Sequence, residues 1–197
     1  MMTYTIGITG HRDIHPGVYE EIRGLVSTWL DEQINAKGAD LKLLSPLAAG
    51  ADQLVAELAL EKGIELYVPL PFPVERYEKD FSHEERNDFY RLLEKAACTI
   101  ELPTQPDDPS SYLAAGTYVA QNAHVLLALW DGKKKPELTG GTSHIVRCRM
   151  NGFPDETPGR KNRDVYWIRT ARTTGFIESP KLQHITSYSD IPDRKEG

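Results

Sequence analysis

The stretch TYTIGITGHRD, Thr3 to Asp13, decides how the chain is read. Its first seven residues carry no charge and are mostly β-branched, and Gly10 bounds them, so they predict a strand buried on both faces. The polar turn His11-Arg12-Asp13 follows at once. A strand covered on both faces needs helices above and below it, and the sequence supplies them downstream.

Val18 to Ala36 places Val18, Ile22, Leu25, Val26, Trp29, Leu30 and Ile34 at helical spacing, closed by Gly38. LKLLSPL, Leu41–Leu47, reads as a second strand, and AAGADQLVAELALEKG as a helix stopped at Gly63. Ile64–Pro71 is a third strand ended by prolines. After the loop FPVERYEKDF, Ser82 and Glu85 form a capping box that opens a helix to about Ala96. CTIEL is a fourth strand. Asp108 as N-cap with Pro109 starts a helix to about Asn122, and HVLLALW, His124–Trp130, is the fifth strand. A lysine-rich loop leads to Gly140-Gly141-Thr142 and a helix to about Met150, and Asp164–Thr170 is the sixth strand. The alternation specifies an α/β fold: an open, Rossmann-like, doubly wound and mostly parallel sheet of about six strands, with helices on both faces. One domain spans residues 1–170. Residues 171–197, polar and broken by Pro180 and Pro192, are left unplaced as a tail or docking arm.

A length of 197 residues suits one domain with a full core. A net charge of −6 argues against broad nucleic-acid binding, which needs a basic face. Cys98 and Cys148, the two cysteines, are too few for a disulfide framework and are expected as reduced core thiols. The chain enters a strand almost at its start, without a signal-peptide pattern, and its longest strongly apolar run, Val125 to Trp130, cannot span a bilayer. A cytoplasmic location with no membrane association is the expectation.

In such sheets ligands sit beyond the carboxyl ends of the strands, so the strand–helix loops carry function. After the first strand, Gly10 permits close backbone approach, Arg12 presents a planar fork matched to phosphate, and His11 stands beside them. Pairing of Arg12 with Asp13 or Asp52 is the structural alternative. After the second strand, Ala49, Gly50 and Asp52 mark a helix start able to take an anion or a ribose hydroxyl. Phe72 lies directly beyond the third strand, whereas Phe81 is expected to anchor its loop to the core. Gly116, inside a helix, points to a close packing contact. Asp131 ends the fifth strand, and Gly140, Gly141 and Thr142 open the next helix as a phosphate cradle. Lys133, Lys134 and Lys135 read as a solvated loop. GxGxxG, the P-loop, GxSxG, HExxH and CxxC are absent from the sequence, so no metal site and no cofactor are expected.

Taken in order, GITGHRD, SPLAAGAD, LPFPVERYEKDF and VLLALWDG…GGTSHIV resemble the SLOG superfamily, Rossmann-like domains related to the LOG ("lonely guy") phosphoribohydrolases. The resemblance covers roughly Thr3 to Met150. It implies a pocket for a nucleotide or nucleotide-derived ligand, used either for processing or for sensing, and a homo-oligomer. The LOG enzymes carry PGGxGTxxE, whose glutamate serves catalysis. Here Ile145 follows Thr142 at that spacing, and isoleucine can neither exchange a proton nor stabilise positive charge. The leading expectation is therefore a binding or sensing domain for a nucleotide-derived small molecule. A nucleotide hydrolase, such as a nucleoside-phosphate N-glycosidase using Asp131 or Asp52, is the alternative. An oligomeric scaffold with a degenerate pocket is the third reading.

Overall fold

The computed structural model describes residues 3–38, 40–134, 140–153, 163–175 and 177–192. Its strands are β1 (Tyr4–Gly10), β2 (Leu41–Leu44), β3 (Glu65–Leu70), β4 (Cys98–Glu101), β5 (Val125–Trp130), β6 (Val165–Arg169) and β7 (Leu182–Ile185). The helices are α1 (Tyr19–Lys37), α2 (Ala51–Glu61), the single turn α3 (Val74–Tyr77), α4 (His83–Glu94), α5 (Asp108–Asn122) and α6 (Thr142–Asn151). One seven-stranded sheet has the order β4-β3-β2-β1-β5-β6-β7, parallel throughout except for β7, which runs antiparallel to β6. The architecture is Rossmann-like.

β5 shows why its strand has to be apolar at every position. Val125, Leu127 and Leu129 face one core with residues of α1, α2 and α4. Leu126, Ala128 and Trp130 face the other, with Val119 and Ala120 of α5 and Ile145, Val146 and Met150 of α6. All six β5 residues are buried, so a polar side chain on either side would be left in a packed core without water. From β1 the chain builds outward through β2, β3 and β4, then returns to lay β5 on the opposite side of β1. The crevice beyond the ends of β1 and β5 is therefore the topological switch point of the sheet.

Several local readings change. The segment left unplaced after Thr170 supplies β7, whose Gln183 and His184 are exposed at the sheet edge. Ile14 also bridges Arg172. β2 stops at Leu44, because Ser45-Pro46 turns the chain and buried Leu47 adopts a left-handed φ of 60°. The Ser45 hydroxyl accepts from the Leu47 amide at 3.2 Å, and Gln53 Nε2 donates to the Leu47 carbonyl at 3.3 Å, fixing that turn. Asp107, rather than Asp108, caps α5 by accepting from the Ser110 amide at 2.8 Å, which places Pro109 second in the helix. Cys98 and Cys148 are free thiols, half-buried rather than core.

Two buried groups fix the helix pair on the α5–α6 face. Gly116 lets α6 approach: a Cβ there would lie 2.7 Å from Ile145 Cδ1, which is the close packing contact the sequence suggested. Arg149 is fully buried, and its guanidinium donates to the carbonyls of Ala120, Ala123 and His124 at 2.7, 2.9 and 2.8 Å. A buried cation there stands against the carbonyl end of α5, where the helix dipole favours positive charge. No described helix is long and apolar enough to cross a membrane.

Candidate functional site

A cavity of about 480 Å³ opens at the switch point. β1 delivers Gly10, His11 and Arg12 to its wall, β5 delivers Trp130 and Asp131, α2 delivers Asp52, and α6 delivers Gly141, Thr142 and Ser143. Gly140 borders it as well, while Tyr77 of α3 and Pro109, Tyr112 and Ala115 of α5 supply apolar wall. Volume, apolar lining and a few convergent polar groups are what small-molecule sites share.

Close backbone approaches place the two loops nearest the sheet. Gly10 lies under α2, where a Cβ would fall 2.4 Å from Ala51 Cβ and 2.8 Å from the Leu129 carbonyl oxygen. Gly50, with a φ of 78°, would bring a Cβ to 2.3 Å from the Arg12 carbonyl oxygen. The Ala51 amide then donates to the His11 carbonyl at 3.0 Å, and the His11 amide donates to the Leu129 carbonyl at 2.9 Å. Gly50 therefore serves the joint between the loops and does not line the cavity. Ala49 is buried outside the cavity wall. Phe72 is also off the wall: its ring meets Tyr112 edge-on at 5.2 Å and carries the Arg76 guanidinium at 4.5 Å. Phe81 stacks on Phe89 at 5.0 Å in the core, as expected of a loop anchor.

His11 and Asp131 join the ends of β1 and β5. The Asp131 amide donates to His11 Nε2 at 3.1 Å, and the same nitrogen lies 3.3 Å from Asp131 Oδ1. As an acceptor this nitrogen takes the hydrogen bond from the amide, and as a donor it reaches the carboxylate instead. Asp131 Oδ1 also accepts from the Lys133 amide at 3.0 Å. Burial pushes the Asp131 carboxyl up, but His11 and the Lys133 amide outweigh it and hold the group below its ordinary value. Asp131 is thus ionised at neutral pH.

Asp52 has the opposite environment. It is only 6% exposed, in the first turn of α2. Burial pushes its carboxyl up to about 7, with the Ala48 amide and the Arg12 charge offsetting only part of the cost. Arg12 forms no ion pair with a described residue; its guanidinium lies 5.1 Å from the centre of the Tyr112 ring. Asp13, one of the two partners in the structural alternative, pairs instead with Arg172 at 2.8 Å and accepts from Thr173. Arg172 lines the cavity as well, a contribution from the segment the sequence left unplaced.

The glycine pair forms a turn and a helix start. Gly140 has a φ of 82°, and its amide donates to His144 Nδ1 at 3.0 Å. Burial, then the charge of Arg147, pushes His144 below its ordinary value, which keeps that nitrogen an acceptor at neutral pH. Gly141 is the N-cap of α6 and no side chain caps the helix, so its first turn meets the cavity with amide dipoles directed outward. Ile145, where a LOG enzyme would have its glutamate, is buried and lines the cavity floor. Ser143 is occupied by a 3.2 Å hydroxyl contact with Tyr188. Lys135 and Thr139, in the loop before Gly140, lie outside the described residues.

Tyr77, Tyr112 and Arg172 line the cavity without having been marked as site residues by the sequence. The spacing of Tyr112 and Ala115 along α5 was the available signal for a cavity-facing stripe; Arg172 had none, since its strand neighbour is far away in sequence.

No protein-family model matches the chain, and no curated protein sequence matches it. Among solved structures it is similar to DNA processing protein A (DprA) from Streptococcus pneumoniae, at 14% identity and a TM-score of 0.44. That match covers 64% of this chain and 41% of the DprA chain, so less than half of that protein's length is spanned. The functional reading rests on the chemistry of the cavity itself.

Proposed function

We propose that the cavity binds a nucleotide or nucleotide-derived small molecule, with an anionic group at the amino end of α6. One observation carries the reading: the uncapped first turn of α6 and Arg12, a guanidinium with no carboxylate partner among the described residues, border the same cavity at the switch point of the sheet. Arg12 would neutralise the anion, Thr142 would add its hydroxyl, and the apolar wall of Tyr77, Tyr112 and Ala115 would cover the uncharged part. The SLOG resemblance points the same way.

The test is calorimetry with AMP, ADP-ribose and cyclic AMP. Saturable binding of at least one supports the reading. Arg12→Ala should then weaken it by a factor of about 10–100, since a hydrogen bond to a charged group contributes about 1.5–3 kcal/mol. Heats indistinguishable from dilution for all three would instead favour the scaffold reading.

Asp52 and Asp131 support a second reading, a nucleotide hydrolase. They border one cavity, and their surroundings push their proton affinities apart, which is the arrangement that divides acid and base roles. Chromatography of the same nucleotides after incubation separates the readings. Products formed by the protein and lost in Asp131→Asn mean catalysis, and intact nucleotide means binding.

A further inference from the structure

Asp52 is the buried ionisable group that the binding reading leaves without a task. Its carboxyl lies in the cavity wall, 6% exposed, and forms no ion pair with a described residue. The groups facing it come from three elements. Arg12 approaches from the loop after β1, the Ala48 amide from its own loop, and the Tyr77 phenol from α3. Beyond Tyr77 stand Tyr112, whose hydroxyl donates to Asp80, and Arg76, which pairs with Asp80 at 2.7 Å. Arg76 is shared between Asp80 and Asp108, and Arg12 is the cation that offsets part of the cost of ionising Asp52.

An anion seated at the α6 terminus would engage that same guanidinium. It would also add a like charge to the wall of the same cavity. Each change disfavours the carboxylate and none disfavours the neutral acid. We propose that this cavity takes up its anionic ligand together with a proton on Asp52, so that occupancy and protonation of this carboxyl rise together. The inference rests on the anion-binding reading above and adds the protonation state of the bound complex. Asp131, held by His11 and the Lys133 amide, stays ionised and takes no part.

The sign follows from linkage. With Asp52 free at about 7 and higher when liganded, affinity is greatest below that value. It falls as pH rises between the free and the liganded value, approaching tenfold per pH unit. Below about pH 6 the carboxyl is protonated in both states and the dependence vanishes.

The experiment is titration calorimetry of the full chain with AMP and with ADP-ribose at pH 8, in buffers of different ionisation enthalpy. Net proton uptake, bounded by one proton per bound ligand, is expected. The phosphate of AMP loses its second proton with a pKa of about 6, so Asp52→Asn serves as the reference whose residual uptake is subtracted. The wild-type excess should vanish in that variant. Should the variant fold or bind poorly, carbon-13 NMR of aspartate-labelled wild-type protein reads the same quantity. The Asp52 carboxyl resonance should titrate near neutrality and move to higher pH with saturating ADP-ribose. Binding with no proton uptake, or an Asp52 resonance unmoved by ligand, overturns the coupling while leaving the binding reading intact. Absence of binding by both probes overturns the binding reading and the coupling with it.

Discussion

Replacing Asp52 by asparagine tests the electrostatics of the cavity without any ligand. Asparagine keeps the shape and an oxygen for the Ala48 amide but cannot ionise. In the wild type the carboxyl is raised to about 7 in the folded chain, against about 3.9 unfolded. A raised carboxyl binds its proton more tightly when folded, so its contribution to stability is fully present below about pH 4 and is lost as pH climbs to about 7. Three units at 1.36 kcal/mol each give a loss on the order of 4 kcal/mol, and Asp52 is buried enough that solvent screening takes little from it. Urea melts of both proteins at pH 4 to 8 isolate the effect, because every other titrating group cancels in the difference. The gap should widen in favour of Asp52→Asn by about 1.4 kcal/mol per unit between pH 4 and 7, then level off. A difference that stays flat across this range would refute the buried, protonatable Asp52 and the proton coupling built on it.

Other outcomes follow from the packing. Arg149→Met should destabilise by about 3 kcal/mol or more, since three carbonyls at the end of α5 lose their donor; denaturant melts read it. Gly10→Ala should cost about 1–3 kcal/mol or more, because the added methyl meets Ala51 and the Leu129 carbonyl oxygen rather than a movable side-chain end. Gly116→Ala meets the flexible tip of Ile145 and should cost less, with part of the loss recovered in the double variant with Ile145→Val.

The sheet was legible because covered parallel strands have no polar face to confuse the pattern. TYTIGIT and HVLLALW announce themselves, and the glycines and prolines between them mark the turns. β7 was not legible for the complementary reason. It lies at an edge, its central Gln183 and His184 face solvent, and only its end residues Leu182 and Ile185 reach the cores, beside the pairing with β6 and the stacking of His184 on Tyr166 at 4.6 Å. The loops after β1 and β5 could be marked as a site from topology alone, since their position beyond the strand ends follows from the order of elements. What could not be read was the division of labour among the glycines. Gly50 and Gly140 look alike in sequence, yet one clears a backbone crossing and the other turns the chain into a helix. Arg149 reads as a surface residue of an amphipathic helix; only the meeting of α5 and α6 shows that it is buried. The state of Asp52 was equally hidden, because a carboxyl is shifted by what surrounds it in space: burial raises it, and Arg12, from a distant part of the chain, offsets part of that rise.

The most direct test of the account is the affinity of the intact protein for AMP and ADP-ribose, measured by calorimetry beside Arg12→Ala. The account predicts one saturable site in the wild type and a loss of about 10–100-fold in the variant, with the fold retained. Equal affinity in the two proteins, or no binding by either nucleotide, would contradict it.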